Sequence, residues 1–171
     1  AGFKLSNRPQ GNYVSDATTN TAFSKSSLYS SKTTVSRYDS YGNPLCITDT
    51  ESGQTVCYIW SYTGLYPIVE IRNATYDAVK SALGTTPESY SSQSSPNMTA
   101  VNALRTNSQL KNAQVTTYTY ELLKGMTSST DPTGLTTYYS YDSQGRLSKI
   151  YIKEGGTDKT IKEYLYNYKV K

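Results

Sequence analysis

There is no histidine anywhere in the chain. Its absence removes the commonest general base, the Ser-His-Asp arrangement and most transition-metal sites. No glycine loop of the phosphate-cradling kind occurs either. Long apolar runs are also missing: no stretch approaches about 18 apolar residues, so no membrane-spanning helix is expected. Residues 1–34 lack the basic start and apolar core of a secretory leader. Ala1 in place of an initiating Met points to a processed form or a piece of something longer. On these grounds no catalytic residue, cofactor or metal ligand is assigned, and the chain is not expected to be an enzyme.

Phenylalanine is nearly absent, with two residues against eighteen tyrosines. A tyrosine ring is apolar but its hydroxyl needs water or a partner, so the ratio favours half-buried sheet faces over a dry core. Apolar residues make up only 36% and charged residues 18% while Ser and Thr abound, a balance that suits an extracytoplasmic β protein better than a cytosolic enzyme. A length of 171 residues fits one domain. The net charge of +4 is not gathered into a stripe. Lys and Arg run from Lys4 to Lys171, and the basic C-terminal stretch, Lys149, Lys153, Lys159, Lys162, Lys169 and Lys171, is interleaved with Glu154, Asp158 and Glu163. A solvated strand face accounts for it, and no nucleic-acid partner is expected.

The chain does contain a spaced pattern of rings and turns. It runs Tyr38-Asp39-Ser40-Tyr41-Gly42, Trp60-Ser61-Tyr62-Thr63-Gly64 and Tyr141-Asp142-Ser143-Gln144-Gly145, with a degraded copy at Tyr120-Glu121 whose glycine slips to Gly125. Eleven residues after Tyr38 and after Tyr120, Asp49 and Asp131 open further turns at Gly53 and Gly134. A fourth unit runs from Tyr141 through Ile150, turns at Gly155-Gly156 and returns from Ile161 to Tyr168. Glycine permits positive φ and an Asp side chain bonds nearby turn amides, so each copy predicts a β-hairpin. Between the turns, rings alternate with smaller residues at Tyr58, Trp60 and Tyr62, at Tyr118 and Tyr120, and at Tyr139 and Tyr141. Each run thus places its rings on one side of its strand, predicting a ladder.

Asp39, Asp49, Asp131 and Asp142 are also the obvious candidates for a glycosidase pair, which needs two carboxylates about 5 to 9.5 Å apart in a sugar cleft. Their repetition together with a turn favours backbone capping instead. Residues 72–113 break the pattern. Thr75 is placed as an N-cap, Tyr76, Val79 and Leu83 share a helical face, and Gly84 ends that helix. A second short helix is expected within Asn97–Arg105, and Thr85–Pro96 is expected to be a mobile loop. Asn73-Ala74-Thr75 and Asn97-Met98-Thr99 match the glycosylation triplet, which matters only in a host that reads it.

The motifs Tyr38-Asp39-Ser40-Tyr41-Gly42-Asn43-Pro44-Leu45 with Asp49, Thr130-Asp131-Pro132-Thr133-Gly134-Leu135-Thr136-Thr137-Tyr138-Tyr139 and Tyr141-Asp142-Ser143-Gln144-Gly145-Arg146-Leu147 resemble the YD repeats of the RHS family. The resemblance covers about 35–71 and 114–168. It implies a bacterial secreted or cell-surface protein whose hairpins wind into a hollow shell around a C-terminal effector, with links to carbohydrate binding in some members. The expected architecture is mainly β: consecutive antiparallel hairpins forming a twisted sheet, with the helical insert at about 72–113. As domains, 1–34 is an N-terminal arm or eroded repeat, 35–71 holds repeats 1 and 2, 72–113 the insert, and 114–171 repeats 3 and 4, all one domain and a fragment of a longer array.

If the second turn centres on Glu51-Ser52, antiparallel register sets Cys46 opposite Cys57, Ile47 opposite Val56 and Leu45 opposite Tyr58. The two sulfurs are then a disulfide contributing about 2 to 3 kcal/mol, or two reduced thiols packed side by side. Two functional readings follow. In the first, the chain is a structural segment whose partners are flanking repeats or other copies joined through sheet edges. In the second, Trp60, Tyr62, Tyr139 and Tyr141 stack on glycans, although packing between strands is the simpler role for those rings.

Overall fold

The computed structural model describes residues 31–166. Nine strands form a single antiparallel sheet in sequence order: β1 (Thr33–Tyr38), β2 (Pro44–Asp49), β3 (Thr55–Ser61), β4 (Tyr66–Arg72), β5 (Gln114–Glu121), β6 (Gly125–Thr130), β7 (Thr136–Tyr141), β8 (Leu147–Glu154) and β9 (Thr157–Glu163). Three helices lie between β4 and β5: α1 (Tyr76–Leu83), α2 (Glu88–Ser91) and α3 (Met98–Ala103), the last followed by single 3-10 turns at Leu104–Thr106 and Ser108–Leu110. The architecture is mainly β, with hairpins in consecutive order. The expected arm over 1–34 lies outside the described residues except for its last four. The last strand begins earlier than the predicted return from Ile161 and stops at Glu163; Asn167 to Lys171, with Tyr168, Lys169 and Lys171, also lie outside.

Local chemistry explains the helices. The Thr75 hydroxyl accepts from the Ala78 amide at the start of α1, and Gly84, at φ 72°, closes it by donating to the Lys80 carbonyl. Asn97 caps α3 in the same way, accepting from the Thr99 and Ala100 amides. The segment Thr85–Pro96, expected to be mobile, instead carries α2 and buries Pro87, Tyr90 and Ser91. Its polar composition hid a role that depends on contacts distant in sequence.

The insert packs on one face of the sheet, and the core lies there. Ile59, Val69, Ile71 and Val115 from β3 to β5 meet Val79, Tyr90, Val101, Leu104 and Leu110 from the insert. Burial of each such side chain is worth about 1.5 to 3 kcal/mol. Register explains the selection: Ile59 is opposite Val69, which is opposite Thr117, and Cys57 is opposite Ile71, which is opposite Val115. Paired residues share a face, so one side of β3–β5 is buried and the other carries Tyr58, Glu70 and Thr116. In β6 and β7 every residue is only half-buried. That half of the sheet depends on its turns and on cross-strand pairs such as Thr119 with Ser128 and Thr130 with Thr136.

Cys46 and Cys57 are joined in a disulfide across β2 and β3, with Cα atoms 4.1 Å apart. The register of these strands also sets Ile47 opposite Val56. Both sulfur-bearing residues are buried and belong to the core beneath the insert.

Candidate functional site

The chemistry that recurs in this chain is concentrated at the turns. Three of them share one geometry. Asp39, Asp131 and Asp142 each donate their backbone N–H to the carbonyl four residues on, Asn43, Leu135 and Arg146, at 2.8 to 3.0 Å. Each Oδ1 accepts from the amides two and four residues later: Tyr41 and Asn43, Thr133 and Leu135, Gln144 and Arg146. The glycine at the fourth position, Gly42, Gly134 or Gly145, has positive φ and donates to the Asp carbonyl. Asp49 closes a turn one residue longer, accepting from the Glu51 and Ser52 amides, with Gly53 donating to its carbonyl.

These bonds favour the carboxylate. Hydrogen bonds from the Ser52 amide and hydroxyl hold Asp49 below the ordinary value of 3.8, the Thr133 hydroxyl and turn amides do so for Asp131, and the Arg146 side chain and amide for Asp142. At Asp39 burial raises the pKa, but donation from the Asn43 amide and side chain and from Tyr41 outweighs it, so this carboxyl too titrates low. The buried Ser91 hydroxyl faces it without hydrogen-bond geometry to any described group. A carboxyl with a depressed folded pKa stabilises the fold at neutral pH, and that contribution fades as pH falls below 3.8 toward the folded values. Melting curves should therefore move to lower temperature below about pH 4. Asp39→Asn and Asp142→Asn, which keep the accepting oxygen, should flatten that dependence. An unchanged acid slope in both variants would contradict the assignment.

The turn at Trp60 has no aspartate, and the insert compensates. Tyr62 and Thr63 adopt φ of 54° and 56°, uncommon for residues other than glycine and most of all for the β-branched Thr63, ahead of Gly64 at 76°. The Thr63 and Gly64 amides donate to the Gln93 and Ser91 carbonyls beside α2, and the Ser61 hydroxyl also donates to Gln93. The Asn43 side chain donates to the Asp39 carboxylate and to the Gly64 carbonyl, linking the first turn to this one.

Four rings spaced along the array share one task. Trp60 Nε1 donates to the Pro44 carbonyl at 2.9 Å, Tyr120 OH to Pro67 at 3.0 Å, Tyr141 OH to Met126 at 2.8 Å and Tyr166 OH to Leu147 at 2.8 Å. Each acceptor is the first or second residue of the preceding even-numbered strand. Ladder pairing explains the need. Within the hairpins β1–β2, β3–β4, β5–β6 and β7–β8 it continues up to the turn. Between hairpins it stops short, at Cys46 with Cys57, Val69 with Thr117 and Ser128 with Tyr138. The ring tip enters this opening and satisfies a carbonyl that the ladder does not reach. Burial raises the Tyr120 hydroxyl pKa above its ordinary value, with further contributions from the neighbouring Tyr118, Tyr62 and Tyr66 hydroxyls.

This arrangement alters the predicted role of four rings. Trp60 and Tyr141 are engaged as bridges, while Tyr62 packs edge-on against Tyr66 and Tyr120, themselves stacked at 4.5 Å. Tyr139 lies on the face of Tyr118, four strands from Trp60, and the four do not form one patch. Two surface depressions are lined by Ser52, Gln54, Thr55 and Asn73 and by Asp77, Lys80, Thr85 and Thr86, with no ring in either. Nor do the rings keep to one wall. Tyr138 and Tyr151 stack at 5.3 Å on the opposite face from Tyr139, because they pair across β7 and β8 at alternate positions.

Sequence reasoning passed over Arg105. Its Nε donates to the Asp131 carbonyl and its Nη2 to Thr117 Oγ1 and the Thr130 carbonyl, fastening the insert to β5, β6 and the turn after β6. Burial lowers its pKa, while the Asp131 charge acts the other way. A lone arginine in a helical segment gives no signal of this in sequence. Tyr76 is a second fastening: its hydroxyl donates to Glu88, and the Arg37 guanidinium lies 4.4 Å from its ring centre. Burial and the Glu88 carboxylate push this tyrosine up to about 12.

The class defined by these features is an open array of consecutive β-hairpins, with Asp and Gly turns after β1, β2, β6 and β7 and with each hairpin after the first tied to its predecessor by a ring. The family model described as RHS Repeat matches residues 125–157, which span β6 to β8 and the turn into β9. The chain thus contains an RHS/YD repeat over those residues; outside them the same Asp turn occurs at Asp39, and the ring bond occurs at Trp60, Tyr120 and Tyr166. No curated protein matches the chain. Among the described residues no helix is long and apolar enough to cross a membrane.

Proposed function

We propose that this chain is a non-catalytic structural segment of a surface or secreted RHS/YD-repeat scaffold, with the array continuing beyond β1. Tyr38 carries the proposal. It occupies the ring position of the first unit, yet among the described residues no earlier strand offers it a carbonyl, and it is 58% exposed. The two edges differ as well. β9 includes Asp158, Lys159, Lys162 and Glu163, the charged composition that discourages pairing, whereas β1 has Arg37 alone. Location outside the cytoplasm is supported by the family, whose repeats are typically extracellular or at the cell surface.

Sedimentation and hydrogen exchange together test this reading. The expected result is concentration-dependent association that Thr34→Lys, on the exposed side of β1, weakens. Protected outward amides of β1 in a monomer would equally show a strand supplied to that edge. A monomer whose β1 amides exchange freely would contradict the proposal.

A further inference from the structure

Tyr138 and Tyr151 take no part in the bridging that occupies other rings of the array. They face each other directly across β7 and β8. Their rings stack at 5.3 Å with an interplanar angle of 20°, and both residues are half-buried. Among the described residues neither hydroxyl has a hydrogen-bond partner, in contrast to the bridging hydroxyls of Tyr120, Tyr141 and Tyr166. The groups over these rings are flexible cations. Lys149 Nζ lies 4.6 Å from the centre of the Tyr151 ring and Lys153 Nζ 5.0 Å from that of Tyr138, with Lys149 also paired to Asp158.

The pair lies in the half of the sheet that has no apolar core. Every residue of β6 and β7 is only half-buried, and the Cys46–Cys57 bridge ties β2 to β3 on the other side of the insert. Directly opposed strand residues have Cβ atoms about 4.5 to 5.5 Å apart, a span that two coupled phenol rings can bridge.

We propose that Tyr138 and Tyr151 are a covalent modification site, at which a haem peroxidase with hydrogen peroxide joins the two rings as dityrosine. Each phenol gives up one electron and its hydroxyl proton, and the peroxide takes up both pairs to become two waters. The two tyrosyl radicals then form a bond between a Cε carbon of each ring. The hydrogen displaced from each Cε leaves as a proton while each phenol oxygen regains one, so two hydrogens are lost in all. The lysine charges oppose a radical cation, but not the neutral radical formed when the proton leaves with the electron. The new bond lies in the plane of both rings, so one ring has to turn out of the stack and meet the other edge to edge. Half-burial and the flexible lysine neighbours permit that turn. Tyr66 and Tyr120 also stack, at 4.5 Å, but Tyr62 packs edge-on against both and the Tyr120 hydroxyl is bonded to the Pro67 carbonyl. That pair is held in its stack and serves as the internal comparison. The site does not depend on the array reading.

The test treats the whole chain, at high dilution, with a haem peroxidase and hydrogen peroxide, and digests the monomer fraction with trypsin for tandem mass spectrometry. Cleavage after Lys124, Arg146, Lys149 and Lys153 leaves Tyr138 and Tyr151 in separate peptides. The expected product is these two peptides joined through Tyr138 and Tyr151 with loss of two hydrogens, accompanied by dityrosine fluorescence. Tyr138→Phe keeps a ring in the stack and should abolish the linked peptide. Tyr139→Phe, on the opposite face, should leave it in place. Unchanged melting temperatures in both variants exclude unfolding as the cause. A wild-type monomer without the link would overturn the proposal, as would a link that survives Tyr138→Phe. Preferential coupling of Tyr66 with Tyr120, or links found only between chains through the exposed Tyr38 and Tyr41, would overturn it as well.

Discussion

Gly64→Ala is expected to destabilise the chain by roughly 2 to 4 kcal/mol. A Cβ at this position would lie 2.5 Å from Tyr41 Cγ and 2.7 Å from Tyr41 Cβ. Those atoms are at the root of the side chain, so rotating the ring does not clear them, and the turn after β1 has to move. That movement strains the bond from the Asn43 side chain to the Gly64 carbonyl and, through it, the Asp39 carboxylate. The φ of 76° at Gly64 adds a further penalty. Gly53→Ala is the matched control: its φ is 70°, but nothing lies within 4 Å of the added carbon. It should cost only about 1 kcal/mol. Urea unfolding of the two variants measures the difference. Equal losses would mean that backbone conformation alone, and no contact between successive turns, determines the glycine.

Loss of the Cys46–Cys57 bond is expected to be comparable. The bridge closes a sequence separation of 11 residues, for which the chain-entropy model gives about 2 to 3 kcal/mol. Cys46→Ala with Cys57→Ala also leaves space beside Ala74 in the core, so the variant should fall by that amount or somewhat more. Wild-type protein in reductant should approach the variant's urea midpoint. Two titratable thiols in the unreduced chain, with no response to reductant, would contradict the bridge.

Much of the fold was legible because the turns carry their own instructions. Asp49 with Gly53 fixes where the second turn lies, and antiparallel pairing then sets Cys46 opposite Cys57. Thr75 and Gly84 mark both ends of α1 with side-chain and backbone chemistry confined to that helix. What escaped depends on tertiary partners. α2 forms in a Ser-rich segment because Tyr90 is buried and neighbouring carbonyls serve Thr63 and Gly64. Two consecutive non-glycine residues at positive φ, Tyr62 and Thr63, have no local signature. Alternation placed the aromatic positions, but the role of Trp60 and Tyr141 as bridges follows from where the ladders between hairpins end. Bulges and strand splay decide that, and neither is written in the spacing of rings. Tyr138 and Tyr151 occupy the face opposite Tyr139 for a simpler reason: neighbouring residues of a strand alternate sides, and these two pair across β7 and β8.

The repeated structural unit is a hairpin tied to the one before it, and that order persists across the insert. Cross-strand Hα–Hα and amide contacts from NMR address it most directly. The structure predicts Val69 near Thr117 and Ile71 near Val115 across β4 and β5, and Ser128 near Tyr138 across β6 and β7. It also predicts slow exchange of the Tyr141 hydroxyl, which is bonded to the Met126 carbonyl. Contacts that pair β4 with a strand other than β3 or β5, or a Tyr141 hydroxyl that exchanges freely with solvent while the ladders are intact, would contradict the account.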